Sequence, residues 1–114
     1  MAPKSKINAQ MIADVSYEIL KKEGEGALNA RSIAGGLECS TQPIYSYYKD
    51  MKDLIGVLTK MANDEFFNMI ASSLKDENPF LAFSLNYVKF AKDNENIFKF
   101  MFFSHYSVEI GPEN

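Results

Sequence analysis

The stretch from Leu28 to Leu54, LNARSIAGGLECSTQPIYSYYKDMKDL, limits what this chain can fold into more than any other. It holds two short helical patterns, a tight corner between them and the start of a third helix. Asn29 is a good N-cap, because its side-chain oxygen can accept from the free N–H groups of a first helical turn. Leu28 before it and Ile33 after it form a hydrophobic staple that fixes how the chain enters. Ile33, Ala34 and Leu37 then repeat at helical spacing. The pattern restarts with Ser40 as a second N-cap and Cys39 with Ile44 as a second staple. Pro43 falls in the first turn of that helix, where its missing N–H costs nothing. Two short helices joined by about two or three residues make a helix-turn-helix.

The second of these helices shows solvent an unusual face. Ile44, with Tyr48 one turn on, is expected to point inward, leaving Thr41, Gln42, Pro43, Tyr45, Ser46 and Tyr47 largely outside. Arg31 lies on the preceding helix, and Lys49 and Lys52 lie just beyond. An ordinary solvated helix would carry Glu and Lys at such sites. Short polar groups at a helix N-terminus suit base edges in a major groove, and tyrosine hydroxyls suit phosphates. The plainer reading is a generic helical corner with a few surface tyrosines.

The run ARSIAGGLECSTQPIYSYYKDMKDLI resembles the DNA-binding region of TetR-type transcriptional regulators. Their pattern there is R-x-I-A, a few residues, then G-V-S-x-x-x-L-Y-x-Y/H-F-x-x-K-x-x-L. Arg31, Ile33, Ala34, Ser40, Ile44, Tyr45, Tyr47, Tyr48 and Leu54 match it. Farther on, YVKFAKDNENIFKFMF resembles the family's fifth and sixth helices, so the likeness covers nearly the whole chain. Two positions depart from the pattern. Glu38 stands where the family usually has glycine at the corner, and Met51 replaces a lysine that opens the fourth helix and touches phosphate. Lys49 and Lys52 flank Met51 as substitutes.

The resemblance implies an all-α fold: a homeodomain-like three-helix head over residues 1–50, then a partial effector-binding and dimerisation region over 51–114. It implies that Thr41, Gln42 and Ser46 read bases and that Pro43 packs on a thymine methyl. Arg31, Tyr45, Tyr47, Lys49 and Lys52 would hold phosphates, while Lys4 and Lys6 reach a minor groove. It implies a small apolar effector held by Met61, Phe83, Tyr87, Phe90 and Met101. The expected partner is a palindromic double-stranded operator bound by a homodimer, and the expected role is repression relieved by the effector. Relatives of this type usually run to about twice this length by ordinary domain arithmetic, their later helices supplying dimerisation and half the pocket.

Composition sets the outer limits. The 114 residues make one domain, with 46% apolar and 24% charged residues as in ordinary globular chains. A mean hydropathy of −0.20 and the lack of a long uncharged apolar run argue against a membrane span. MAPKSKIN has no apolar stretch behind its lysines and does not read as a signal peptide. The single cysteine, Cys39, suits a reducing cytoplasm and a small buried hydrophobe. A net charge of −3 first argues against a nucleic-acid partner, but the charge is uneven. Residues 1–60 carry eight Lys/Arg and seven Asp/Glu, a balance of +1; residues 61–114 carry four and eight, a balance of −4. The acidity belongs to the half expected to point away from DNA, and modest non-specific affinity is expected.

In chain order, Ala2 to Lys6 reads as a basic arm. A first helix is expected over Ile7 to Glu23, with Met11, Ile12, Val15, Ile19 and Leu20 on one face and Gly24 stopping it. Asp50 caps a long fourth helix reaching Leu74 through Leu54, Leu58, Met61, Phe66 and Ile70. Pro79 opens a fifth, along which Phe80, Phe83, Tyr87 and Phe90 repeat. A sixth spans Ile97 to Ser104, followed by a tail from His105. Phe98, Phe100, Met101, Phe102 and Phe103 crowd that last helix, and Phe100 and Phe103 are the expected outward pair of a homodimer contact through the fifth and sixth helices.

Little catalytic chemistry is legible. One His and one Cys offer no nucleophile–base arrangement, so no enzyme, cofactor or metal is expected. Asp64-Glu65 and Asp76-Glu77 read as solvated surface. Gly35-Gly36 follows no strand and suits close helix packing rather than a phosphate loop. Two other readings stand beside the regulator: a helical protein-interaction module, and a ligand-binding protein without DNA binding.

Overall fold

Side-chain caps set the helix boundaries of this chain. The computed structural model describes residues 7–104, and these form helices and short connections with no strand among them. The helices are α1 (Ala9–Glu23), α2 (Ala30–Leu37), α3 (Gln42–Tyr47), α4 (Met51–Ser73), α5 (Pro79–Asp93) and α6 (Glu95–Phe103), with a 3-10 turn at Glu25–Ala27 after α1. Asn8, Asn29, Asp50 and Asn78 cap α1, α2, α4 and α5 by accepting from the N–H groups of Met11, Ser32, Asp53 and Leu81. Because Asn8 takes the cap, Ile7 lies before α1 rather than in it, and its side chain is buried in the core. The expected arm at Lys4 and Lys6, and the tail from His105, lie outside the described residues.

The second expected cap is corrected. Ser40 is exposed, and α3 begins two residues later, with Thr41 at the cap position and no side-chain cap bond. A cap at Ser40 would place Pro43 third in the helix, where a capping side chain needs an N–H that proline lacks. The Thr41 carbonyl instead accepts from the Ile44 and Tyr45 N–H groups at 3.1 and 3.4 Å.

The corner between α2 and α3 is a Schellman turn. Glu38 sits in the left-handed region at φ 58° and ψ 46°. Its N–H reaches the Gly35 carbonyl at 3.2 Å, and the Cys39 N–H reaches the Ala34 carbonyl at 3.0 Å. These two bonds close the end of α2 and turn the chain. Glu38 thus accepts the strain that glycine would avoid. Just before the corner, a Cβ on Gly36 would come 2.9 Å from Val15 Cγ1, so α2 lies close on α1 there.

Helices α2, α3, α4 and α6 all pack on α1, and α5 lies along α4 and α6. The core joins Ile12, Leu20, Ile33, Ile44, Leu54, Leu58 and Ile97, each essentially sealed from solvent. The buried face of α1 is centred differently from expectation: Ile12, Ala13, Ser16, Tyr17 and Leu20 are buried, with Met11, Val15 and Ile19 at its margin. Ser16 and Tyr17 go inside because their polar atoms are satisfied there. The Ser16 hydroxyl donates to the Ile12 carbonyl at 2.6 Å, and the Tyr17 hydroxyl donates to Glu65 Oε1 at 2.7 Å.

Three surface expectations change with this packing. Glu65 is half-buried against Tyr17, whereas Asp64 stays exposed and pairs with Lys60 at 3.0 Å. Phe80, in the first turn of α5, points outward, while Tyr87 and Phe90 pack on Phe66 of α4 and Phe83 is half-buried against Tyr87. Phe100 is buried at 3% exposure, so the outward rings of α6 are Phe102 and Phe103. Phe100 shares with Ile97 the side of α6 that meets the core.

Two outcomes follow from the corner and the tyrosine. Glu38→Gly removes the left-handed penalty of an L-residue and is expected to stabilise the fold by up to about 1 kcal/mol in urea unfolding; an unchanged or lowered midpoint would show that the side chain contributes more than the strain costs. Burial first, then the Glu65 carboxylate it donates to, pushes the Tyr17 hydroxyl far above the usual tyrosine range. A raised folded pKa gives stability that is whole below about pH 10 and is lost as pH climbs past it. Tyr17→Phe should therefore show a shallower alkaline decline than the parent. Parallel curves above that pH would remove Tyr17 from the account.

Candidate nucleic-acid interface

The first turn of α2, the corner and α3 form one exposed surface. Ile44 and Tyr48 are buried at 2% and 8% exposure and seat α3 on the core. Thr41, Gln42, Tyr45, Ser46 and Tyr47 are exposed as expected, with Pro43 partly covered. Arg31 stands on the adjoining turn of α2 because Asn29 caps that helix and sets its first residues at the surface. Asn29, Ala30, Arg31, Thr41 and Tyr45 line an open cleft of about 380 Å³ between the two helices. Asn29 and Ala30 were not among the expected site residues, although the capping signal at Asn29 marks where α2 meets solvent.

The polar groups on this surface differ in availability. The Ser46 hydroxyl back-bonds to the Gln42 carbonyl at 3.1 Å, leaving its oxygen as an acceptor toward solvent. The Tyr45 ring is 54% exposed. Tyr47 is exposed along its ring, but its hydroxyl donates to the Ile7 carbonyl at 3.2 Å, so its proton is already placed within the fold. Tyr48 donates to the Ala9 carbonyl at 2.8 Å. Burial, with smaller contributions from the Asp53 and Asp14 carboxylates, raises the Tyr48 pKa and keeps it a donor. Together the two tyrosines fasten the entry of α1 to the end of α3, which sequence spacing could not reveal across about 40 residues.

The start of α4 is already occupied by carboxylates. Asp50 Oδ1 accepts from the Asp53 N–H at 2.9 Å, and Asp53 Oδ2 accepts from the Lys49 N–H at 3.0 Å. Both carboxylates lie at the positive end of that helix, where its dipole favours them. The side chains of Lys49 and Lys52 are exposed beside them. Met51, the departure noted in the sequence, is half-buried and packs against the core.

The five expected effector residues lie in the second half of the fold. Phe83 and Tyr87 pack at 5.7 Å, and Phe66 meets Tyr87 and Phe90 edge-on at 5.8 and 5.4 Å. Met61 and Met101 are partly buried against the same core. These rings pack against one another between α4, α5 and α6. Phe90 also borders a shallow hollow with Met69, Asn86, Lys89 and Asn94. Among the described residues no group of three or more His, Cys, Asp or Glu side chains could hold a metal ion, and no helix is long and apolar enough to cross a membrane.

The clamp on α1 can be weighed residue by residue. Tyr48→Phe should cost about 1 kcal/mol, because a buried hydrogen bond is lost, and Tyr47→Phe at a half-exposed ring should cost less. Amide exchange in the first turn of α1 should quicken in both. Unchanged exchange there would mean that the clamp does not hold the helix start. No family model and no curated protein sequence matches this chain.

Proposed function

We propose that this chain is a sequence-specific DNA-binding transcriptional regulator of the TetR type, a repressor relieved by a small apolar effector and acting as a homodimer on a palindromic operator. The observation that carries the reading is the exposed face of α3. Thr41, Gln42, Tyr45 and Ser46 stand outward on a helix seated by Ile44 and Tyr48, with Arg31 across an open cleft. Six residues of helix are about 9 Å long, short enough to lie within a major groove about 12 Å wide. Thr41, Gln42 and Ser46 read base edges in this arrangement, and Pro43 supplies an apolar contact. Arg31, Tyr45, Lys49 and Lys52 meet phosphates on either side.

Tyr47 takes a modified role. Its hydroxyl proton serves Ile7, so the ring contributes contact area and holds Ile7 beside α3. The near-neutral charge of the first sixty residues gives this surface little attraction for DNA at long range. Specific contacts then carry a larger share of the affinity.

Fluorescence anisotropy on a duplex selected for binding and on random duplex, each at two salt concentrations, tests the reading. The parent should bind both, with the selected site preferred and both affinities falling with salt. Gln42→Ala should weaken the selected site by about 1–3 kcal/mol and leave random duplex nearly unchanged. Arg31→Ala should weaken both and reduce the salt slope by roughly one unit. Equal losses on the two duplexes for Gln42→Ala would take Gln42 out of the base-reading set, and no binding to any duplex would overturn the function.

A further inference from the structure

Helix α5 is apolar on two opposite sides. Tyr87 and Phe90 face the core with Phe83 half-buried against Tyr87, and Asn86 Nδ2 donates to the Ser73 hydroxyl on α4 at 3.0 Å. At 100° per residue the positions directly opposite are 81, 85, 88 and 92. Leu81, Leu85 and Val88 occupy the first three and are 50%, 62% and 64% exposed. An ordinary surface helix places charged residues on that side. Here three branched aliphatics form a stripe two turns long.

The ends of this stripe carry opposite charges. Asp76 and Glu77 lie exposed just before its N-terminal end, and Lys92 continues its line at the C-terminal end. Such a stripe is complementary to itself when reversed. With two copies of α5 antiparallel about a two-fold axis near Leu85, Leu81 comes level with Val88 of the other copy. Lys92 then lies toward the other copy's Asp76 and Glu77, which precede α5. Both ends gain an attractive pair at once, as an isologous contact requires. A parallel pairing would instead bring Lys92 against Lys92 and Glu77 against Glu77. On α6, Phe102 and Phe103 are also exposed, yet they offer two rings at the end of a nine-residue helix rather than a continuous stripe.

We infer that the outward face of α5 is a homodimer interface in which Leu81, Leu85 and Val88 pack antiparallel against the same residues of a second copy, with Lys92 and Glu77 fixing the direction. This deepens the dimer of the proposed regulator by naming its contact surface. It is tested without DNA, so its outcome is separate from that of nucleic-acid binding.

Light scattering on a sizing column at about 50 micromolar, a range in which weak dimers are populated, should give twice the chain mass of 12.9 kDa. Leu85→Glu sets two like charges across the axis and should return the mass to a single chain while circular dichroism stays unchanged. Lys92→Glu should weaken the dimer about tenfold. Adding Glu77→Lys to that variant should restore it, because the swapped charges meet again. A parent that remains monomeric, or a dimer indifferent to Leu85→Glu, overturns the interface. Failure of the charge swap to rescue Lys92→Glu overturns the antiparallel arrangement.

Discussion

The burial of one side of α1 is the constraint on which the rest of this fold depends. That side carries Ile12, Ala13, Ser16, Tyr17 and Leu20, and α2, α3, α4 and α6 all pack on α1. A fully buried aliphatic side chain contributes about 1.5–3 kcal/mol, so Ile12 and Leu20 together outweigh any exposed ion pair in the molecule. The pairs Lys60–Asp64, Lys89–Asp93 and Lys99–Glu95 are all solvent-facing and add little. The strained corner at Glu38 is tolerable for this reason. The Schellman bonds and the burial of Ile33, Leu37 and Ile44 on its two sides hold a left-handed residue in place.

The same packing explains why the two halves differ in finish. The described residues span 49 × 37 × 20 Å, and their radius of gyration of 16.1 Å exceeds the roughly 13 Å of a compact chain this long. Twenty ångströms accommodates about two layers of helices. Helix α1 has four neighbouring helices packed on it, whereas α5 has neighbours on one side and exposes aliphatic residues on the other.

Much of this architecture was legible in the sequence, for identifiable reasons. Asn29, Asp50 and Pro79 signal helix starts through local chemistry, and the alternation of Ile44 and Tyr48 with polar residues places α3 on the surface. Ser40 misled because Pro43 cancels the donor that its cap would need, a conflict visible only when both residues are counted from the same helix start. The positive φ at Glu38 follows from its place at the corner, but whether the chain accepts it is decided by packing. Glu65 looked like surface because its partner Tyr17 is 48 residues away. Phe100 and Phe103 are equally apolar as residue types, and which one turns inward depends on how α6 rolls against α1 and α4. The proposed base-reading and effector roles rest on side-chain chemistry and resemblance.

The hydrogen bond between Tyr17 and Glu65 bears on mechanics as well as stability. Aliphatic faces slide over one another at small cost, since the dispersion attraction given up at one edge is regained at the other. A hydrogen bond of 2.7 Å has no such latitude. It acts as an index pin between α1 and α4, admitting one axial register and resisting fractional displacement. Helix α1 is fastened in turn to α3 through Tyr48, so the register set by the pin is shared with the exposed surface of α3.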